Sequence, residues 1–126
     1  MSENKINVGI VGIKPGESWA GVAHVPALQS LGDRYRIAGV VNSSKQSSEA
    51  AARALGVNQG FASVEDLVHS PEIDLVTVTI TVPQHLEVVK AALNACKHVY
   101  CEAPLGNGLA EVEQMAALAK VDADRK

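Results

Sequence analysis

Two glycines and a lysine open the chemically suggestive part of this 126-residue chain. Gly12 and Gly16 follow the apolar run "NVGIV" and precede a helix-forming stretch that begins near Trp19. At a strand-to-helix turn, glycines let the backbone bend sharply. Free N–H groups and the positive end of the helix dipole then face an anion, most often a phosphate. The spacing departs from the standard G-x-G-x-x-G, which would put glycine at position 14; Lys14 stands there, followed by Pro15. The loop is wider and has one N–H fewer. Gly12 would make the tight bend and Gly16 the close approach to a pyrophosphate, with an ordinary βα turn as the competing reading. A second cluster, "NSSK" at Asn42–Lys45, falls where a dinucleotide fold usually carries Asp or Glu for the ribose 2′-hydroxyl. No acid occurs from Asn42 to Ser48. Ser43, Ser44 and Lys45 could instead donate to a 2′-phosphate, which a carboxylate would repel. NADP is therefore expected, with NAD as second choice. The same residues also suit a solvated loop and a helix cap.

The elements that must position these residues alternate along the chain. Lys5–Gly12 reads as a strand and Trp19–Leu31 as a helix entered through Gly16, Glu17 and Ser18. Arg36–Val41 is a second strand, and Gln46–Leu55 an alanine-rich helix stopped by Gly56. A short strand lies near Gly60–Phe61. Ser63 caps a helix running to about His69, with an acid three positions on. "IDLVTVTI" is the strongest strand. Pro83 stands near the start of a helix to about Cys96, where its missing N–H costs nothing. "HVYCE" is a fifth strand and Leu109–Lys120 a last helix. Strands alternating with helices predict a parallel sheet with right-handed crossovers. The expected fold is a doubly wound α/β (Rossmann) domain over residues 1–126, five strands in the order 3-2-1-4-5. Ligands bind at the carboxyl ends of such strands, where the order reverses. That rim would hold the Gly12–Ser18 turn, Asn42–Lys45, Phe61–Ser63, Thr79–His85 and Glu102–Gly106.

Composition bounds the function classes. Aromatics make up 3% of the chain and hydrophobic residues 47%, so the core is aliphatic, as suits a buried parallel sheet. A net charge of −3 and the lack of any basic run longer than a pair argue against nucleic acid or anionic membranes as partners. No segment has the roughly 20 apolar residues of a membrane span, and the N-terminus does not read as a signal peptide. Cys96 and Cys101 show no ligand spacing, and the four histidines are scattered, so no metal site and a reducing, cytoplasmic setting are expected.

The segment "DLVTVTITVPQHLEVVKAALNACKHVYCEAPLG" resembles the corresponding part of the glucose–fructose oxidoreductase/inositol dehydrogenase/rhizopine (Gfo/Idh/MocA) family, most specifically in "KHVYCEAPLG". The wide first turn, with Trp19-Ala20 and then His24 and Pro26, looks more like the branch that contains the fungal galactose-regulon repressors and related oxidoreductases. The resemblance implies that Gly12, Lys14 and the Gly16–Ala20 turn, with Ser18, Trp19 and Ala20, face the pyrophosphate. It implies that Ser43, Ser44 and Lys45 face the adenosine ribose, that Thr79, Ile80, Val82 and His85 line the groove, and that Glu102 sits near the nicotinamide ribose. For His85 a helix-start residue that caps the backbone is the equal alternative. For Trp19 packing of the indole under the turn is the expectation, and for Cys101 the role of a small apolar residue.

Two departures from the family pattern bear on catalysis. Its enzymes usually carry Lys in E-K-P, whereas this chain reads Glu102-Ala103-Pro104, and a methyl group does no acid–base work. The family also continues into a sixth strand and a C-terminal substrate domain, expected to be absent here because "AKVDADRK" falls where that strand would begin. The expectation is an NADP(H)-binding domain of a sugar or polyol oxidoreductase, inactive alone. The alternatives are a non-catalytic dinucleotide-sensing module acting through a protein partner, and a domain with a vestigial site. The fifth strand, His98–Glu102, would be a sheet edge without proline or bulge, which predicts a homodimer.

Overall fold

Val8 and Ile10, Val40 and Val41, and Val76 and Val78 are all buried, in runs with almost no polar residue, as expected of central strands covered on both faces. In the computed structural model, which describes residues 5–125, they belong to β1 (Ile6–Val11), β2 (Tyr35–Val41) and β4 (Leu75–Val78) of one five-stranded parallel sheet. With β3 (Gln59–Phe61) and β5 (His98–Cys101) the order is β3-β2-β1-β4-β5, as the alternating pattern predicts. The order reverses between β1 and β4, so the loops after these two strands flank the crevice.

Helices cover the two faces separately. Ala20, Val25 and Leu28, with Ala51, Ala52 and Leu55, pack on Val8, Ile10 and Val40, so α1 (Val25–Ser30) and α2 (Lys45–Leu55) share one face. Leu67, Val68, Val88, Val89, Ala92, Leu93 and Met115 pack on Val11, Val76 and Val78 on the other. That places α3 (Val64–Val68), α4 (His85–Asn94) and α5 (Leu109–Arg125) there. The caps are those the local sequence requires. Ser44 and Ser47 form a reciprocal capping box at α2, and Gly56 ends that helix in the left-handed region at φ 69°. The Ser63 hydroxyl accepts from the Asp66 N–H at α3.

Two elements differ from expectation. The helix predicted from Trp19 begins as a π-helical turn, Ala20–His24, in which the Val25 N–H reaches back to the Ala20 carbonyl. Pro26, at the start of α1, has no N–H to extend a regular ladder into the preceding turn. The last helix, expected over Leu109–Lys120, runs on to Arg125. No glycine or proline interrupts "AALAKVDADR", and Met115, Leu118 and Asp122 keep one side of the helix turned inward. Among the described residues no helix is long and apolar enough to cross a membrane.

Candidate functional site

The turn after β1 is built from backbone geometry that only particular residues permit. Gly12 has φ 86°, and a Cβ on it would lie 2.5 Å from Ile80 Cγ2, so the loops after β1 and β4 touch through a missing side chain. Gly21, on the π-turn, makes an equally close approach, to backbone rather than to a side chain. A Cβ there would meet the Lys14 carbonyl oxygen at 2.5 Å and the Gly16 nitrogen at 2.8 Å. Ser18 closes the turn from inside: its hydroxyl accepts from the Lys14 N–H at 2.9 Å and the Gly21 N–H at 3.3 Å. The Lys14 carbonyl in turn accepts from the Glu17 and Ser18 N–H groups.

Asn42 joins this turn to the end of β2. Its Oδ1 accepts from the Ile13 N–H at 2.7 Å and its Nδ2 donates to the Ile13 carbonyl at 2.8 Å. Across the crevice Thr79 Oγ1 lies 2.6 Å from the Gly12 carbonyl and 2.9 Å from that of Val11, and its single proton serves one of them at a time. Between these anchors lies a cavity of about 480 Å³ lined by Gly12, Ile13, Lys14, Ser18, Asn42, Ser43, Ser47 and Thr79. A second cavity of about 550 Å³ is lined by Trp19, His24, Tyr100, Cys101, Glu102 and Ala103. The first lies beside the turn's start and the second beside its end. An extended ligand laid along the turn would have one half in each.

The fold thus brings Gly12, Lys14, Ser18, Ser43 and Thr79 around one cavity, and Trp19 and Glu102 around the other. The remaining expected residues are not in the lining of either cavity. Gly16 is exposed at the crest of the turn and Ala20 is buried in the core beneath it. The Ser44 hydroxyl is engaged with Ser47 in the α2 cap, while Lys45 is exposed in the first turn of that helix. Ile80 packs against Gly12, and Val82 starts a short 3₁₀ turn, Val82–Gln84.

Two placements correct the sequence reading. His85 does not line the groove: it is 1% exposed, with Nε2 2.9 Å from the Ile80 carbonyl and Nδ1 3.0 Å from the Leu105 carbonyl and 3.3 Å from Cys101 Sγ. It ties the end of β4 to the loop after β5, which is the backbone-capping alternative in a long-range form. Trp19 is not packed under the turn but 63% exposed, because the π-turn directs Ala20 rather than its neighbour into the core.

His24, Tyr100, Ser47 and Gly21 belong to the site and were not among the residues singled out for it, and Asn42 was placed on the rim without a role of its own. A carboxamide directly after a buried strand was a usable signal for Asn42. For His24 the only sequence signal was its place in the Trp19–Pro26 motif. The Cys101 thiol is pushed up from 9.0 to about 11, first by burial and then by the negative charge of Glu102, so at neutral pH it is a protonated, unreactive group.

Comparison with known proteins agrees with this geometry. Residues 6–125 match the family model described as "Oxidoreductase family, NAD-binding Rossmann fold" of the Gfo/Idh/MocA group. A dehydrogenase, aclE, of Aspergillus oryzae is 37% identical over 121 residues, which are 92% of this chain and 33% of that protein. The galactose/lactose metabolism regulatory protein of Kluyveromyces lactis is 29% identical over 127 residues, 94% of this chain and 28% of the relative. The crystal structure of an NAD binding oxidoreductase from Klebsiella pneumoniae superposes with a TM-score of 0.86 at 27% identity, covering 95% of this chain and 33% of that one. The chain therefore spans about a third of the length of the relatives it matches. With the strand order, the glycine turn and the match across nearly every described residue in agreement, the chain belongs to the Gfo/Idh/MocA oxidoreductase family as its NAD-binding Rossmann domain.

Proposed function

We propose that the chain binds NADP(H) along the rim formed by the carboxyl ends of β1, β2, β4 and β5, as the cofactor domain of a protein acting on a sugar or polyol. The observation that carries the preference for NADP is the end of β2. Asn42 both accepts from and donates to the Ile13 backbone, a pairing that a carboxylate, lacking a proton, cannot make. The acid that would hold an unmodified ribose 2′-hydroxyl therefore has no place at this position. Exposed Ser43 follows it, Lys45 is exposed two residues further on, and Lys14 lines the same cavity. Hydroxyls and ammonium groups suit a 2′-phosphate. The bound nicotinamide would supply hydride chemistry, and the residues lining the two cavities would bind and orient the dinucleotide.

Calorimetric titration with NADPH and NADH tests this reading. NADPH is expected to bind more tightly, and Lys45→Asp to reverse or abolish the preference. Equal affinities in the unaltered chain would sink it.

Ala103 favours a second reading, a non-catalytic module that senses the dinucleotide and acts through a protein partner. Its methyl group lines the Glu102 cavity, where the family's enzymes usually have lysine. Incubation with NADP+ and a panel of sugars and polyols is expected to give no NADPH absorbance. Turnover would exclude the sensing module.

A further inference from the structure

His24 and Glu102 are 78 positions apart in sequence and meet at one end of the groove. His24 is the last residue of the π-turn, and Glu102 is the first residue beyond β5, where its N–H donates to the Val78 carbonyl at 3.3 Å. The imidazole Nε2 lies 3.3 Å from Glu102 Oε2. An ionised carboxylate only accepts, so Nε2 carries the proton of this bond. The ring is fixed from a second side by Tyr100, edge to face, with centroids 5.4 Å apart and planes at 77°. The imidazole is 12% exposed and the carboxylate 24%, so the more accessible partner is the acceptor. Among the described residues, no other group hydrogen-bonds the Glu102 side chain, and Ala103 beside it offers only a methyl group.

We propose that His24 is a positioning residue, holding the Glu102 carboxylate so that its second oxygen, Oε1, accepts from a ribose diol, that of the nicotinamide half of the dinucleotide. The proposal rests on the dinucleotide reading above and adds a residue to it. A glutamate on an open rim samples several rotamers, and a ligand that needs one of them loses affinity in ordering it. A carboxylate already tied through Oε2 avoids most of that loss. Placing the donor on the π-turn has a further consequence. The turn that shapes the phosphate end, through Gly21 and Ser18, also carries the group that orders the opposite end.

The test separates the two halves of the ligand. The chain, its His24→Leu and His24→Gln variants and Glu102→Ala are titrated calorimetrically with NADP+ and with 2′-phospho-ADP and 2′,5′-ADP, which lack the nicotinamide riboside and the whole nicotinamide mononucleotide respectively. His24→Leu is expected to weaken NADP+ by roughly tenfold, the scale of one hydrogen bond to a charged group, and to leave 2′-phospho-ADP and 2′,5′-ADP unchanged. His24→Gln, whose amide N–H reaches toward the same carboxylate oxygen, should restore most of the loss. Glu102→Ala should reproduce the NADP+-selective loss, and adding His24→Leu to it should cost little more. Equal weakening of NADP+ and 2′-phospho-ADP by His24→Leu, or of neither, would overturn the positioning role, as would full additivity of the pair. Failure of 2′,5′-ADP to bind the unaltered chain would instead overturn the dinucleotide reading, and this inference with it.

Discussion

Cys96 and Cys101 share a side chain but not a chemistry, and the difference lies in what surrounds each sulfur. Cys96 is exposed at the end of α4. Cys101 packs against the core beside His85, and burial together with the Glu102 charge pushes its thiol up to about 11. Alkylation at pH 8 is expected to label Cys96 and spare Cys101; equal labelling would contradict the placement of Cys101. The shift also links to stability. As pH rises past 9.0 the unfolded chain gives up the thiol proton first, while the folded chain keeps it until about 11. The folded state then holds more protons than the unfolded one, so this group lowers stability as pH climbs through that window and has no effect below it. Urea unfolding of the parent and Cys101→Ala at pH 8 and pH 10.5 should show the extra loss in the parent alone.

The β1–π-turn–α1 unit works because two backbones approach where side chains would not fit. Gly21 brings the π-turn against the Lys14 carbonyl, and Ser18 stitches the two together. In Gly21→Ala the added methyl meets backbone on both near contacts, so the turn must open rather than a flexible side chain give way. The expected cost is about 1–3 kcal/mol in denaturant unfolding. NADPH binding should weaken further in molecules that remain folded, because the phosphate end is what moves. Parent-like stability together with parent-like affinity would show that the close approach is not needed. His85 belongs to the same scale: a residue that opens α4 is used to join the β4 end to the loop after β5.

The whole molecule leaves part of its sheet uncovered. On the α1–α2 face, Trp19, Leu31 and Tyr100 stand exposed around an apolar hollow of about 370 Å³ that Leu75 and Thr77 of β4 also line. Beyond β5, the last strand of the order, a groove lined by Val99, Leu105, Met115 and Ala119 separates the edge from α5. An open edge with apolar flanks is the kind of surface that pairs with another chain. We expect a two-fold dimer through this edge or the adjoining face, weakened by Tyr100→Lys. Sedimentation decides it: a 13.2 kDa species that persists as concentration rises would refute the dimer.

Much of this architecture was legible in the residues themselves. Aliphatic runs such as "LVTV", the Ser44 and Ser63 caps and the Gly56 stop are local signals, and helix-length connections between strands leave one handedness and few strand orders. The glycine turn and the end of β2 pointed by the same means to segments that line one cavity. The partners of the site residues were not legible, because hydrogen bonds between His24 and Glu102, Asn42 and Ile13, or His85 and Leu105 depend on segments far apart in the chain. No local propensity encodes such a meeting. Hence Trp19 turned outward, His85 went into the core and the last helix continued past Lys120 to Arg125. Residue pattern determined the elements and their order; the packing of those elements decided which side chains line the cavities and which hold the rim together.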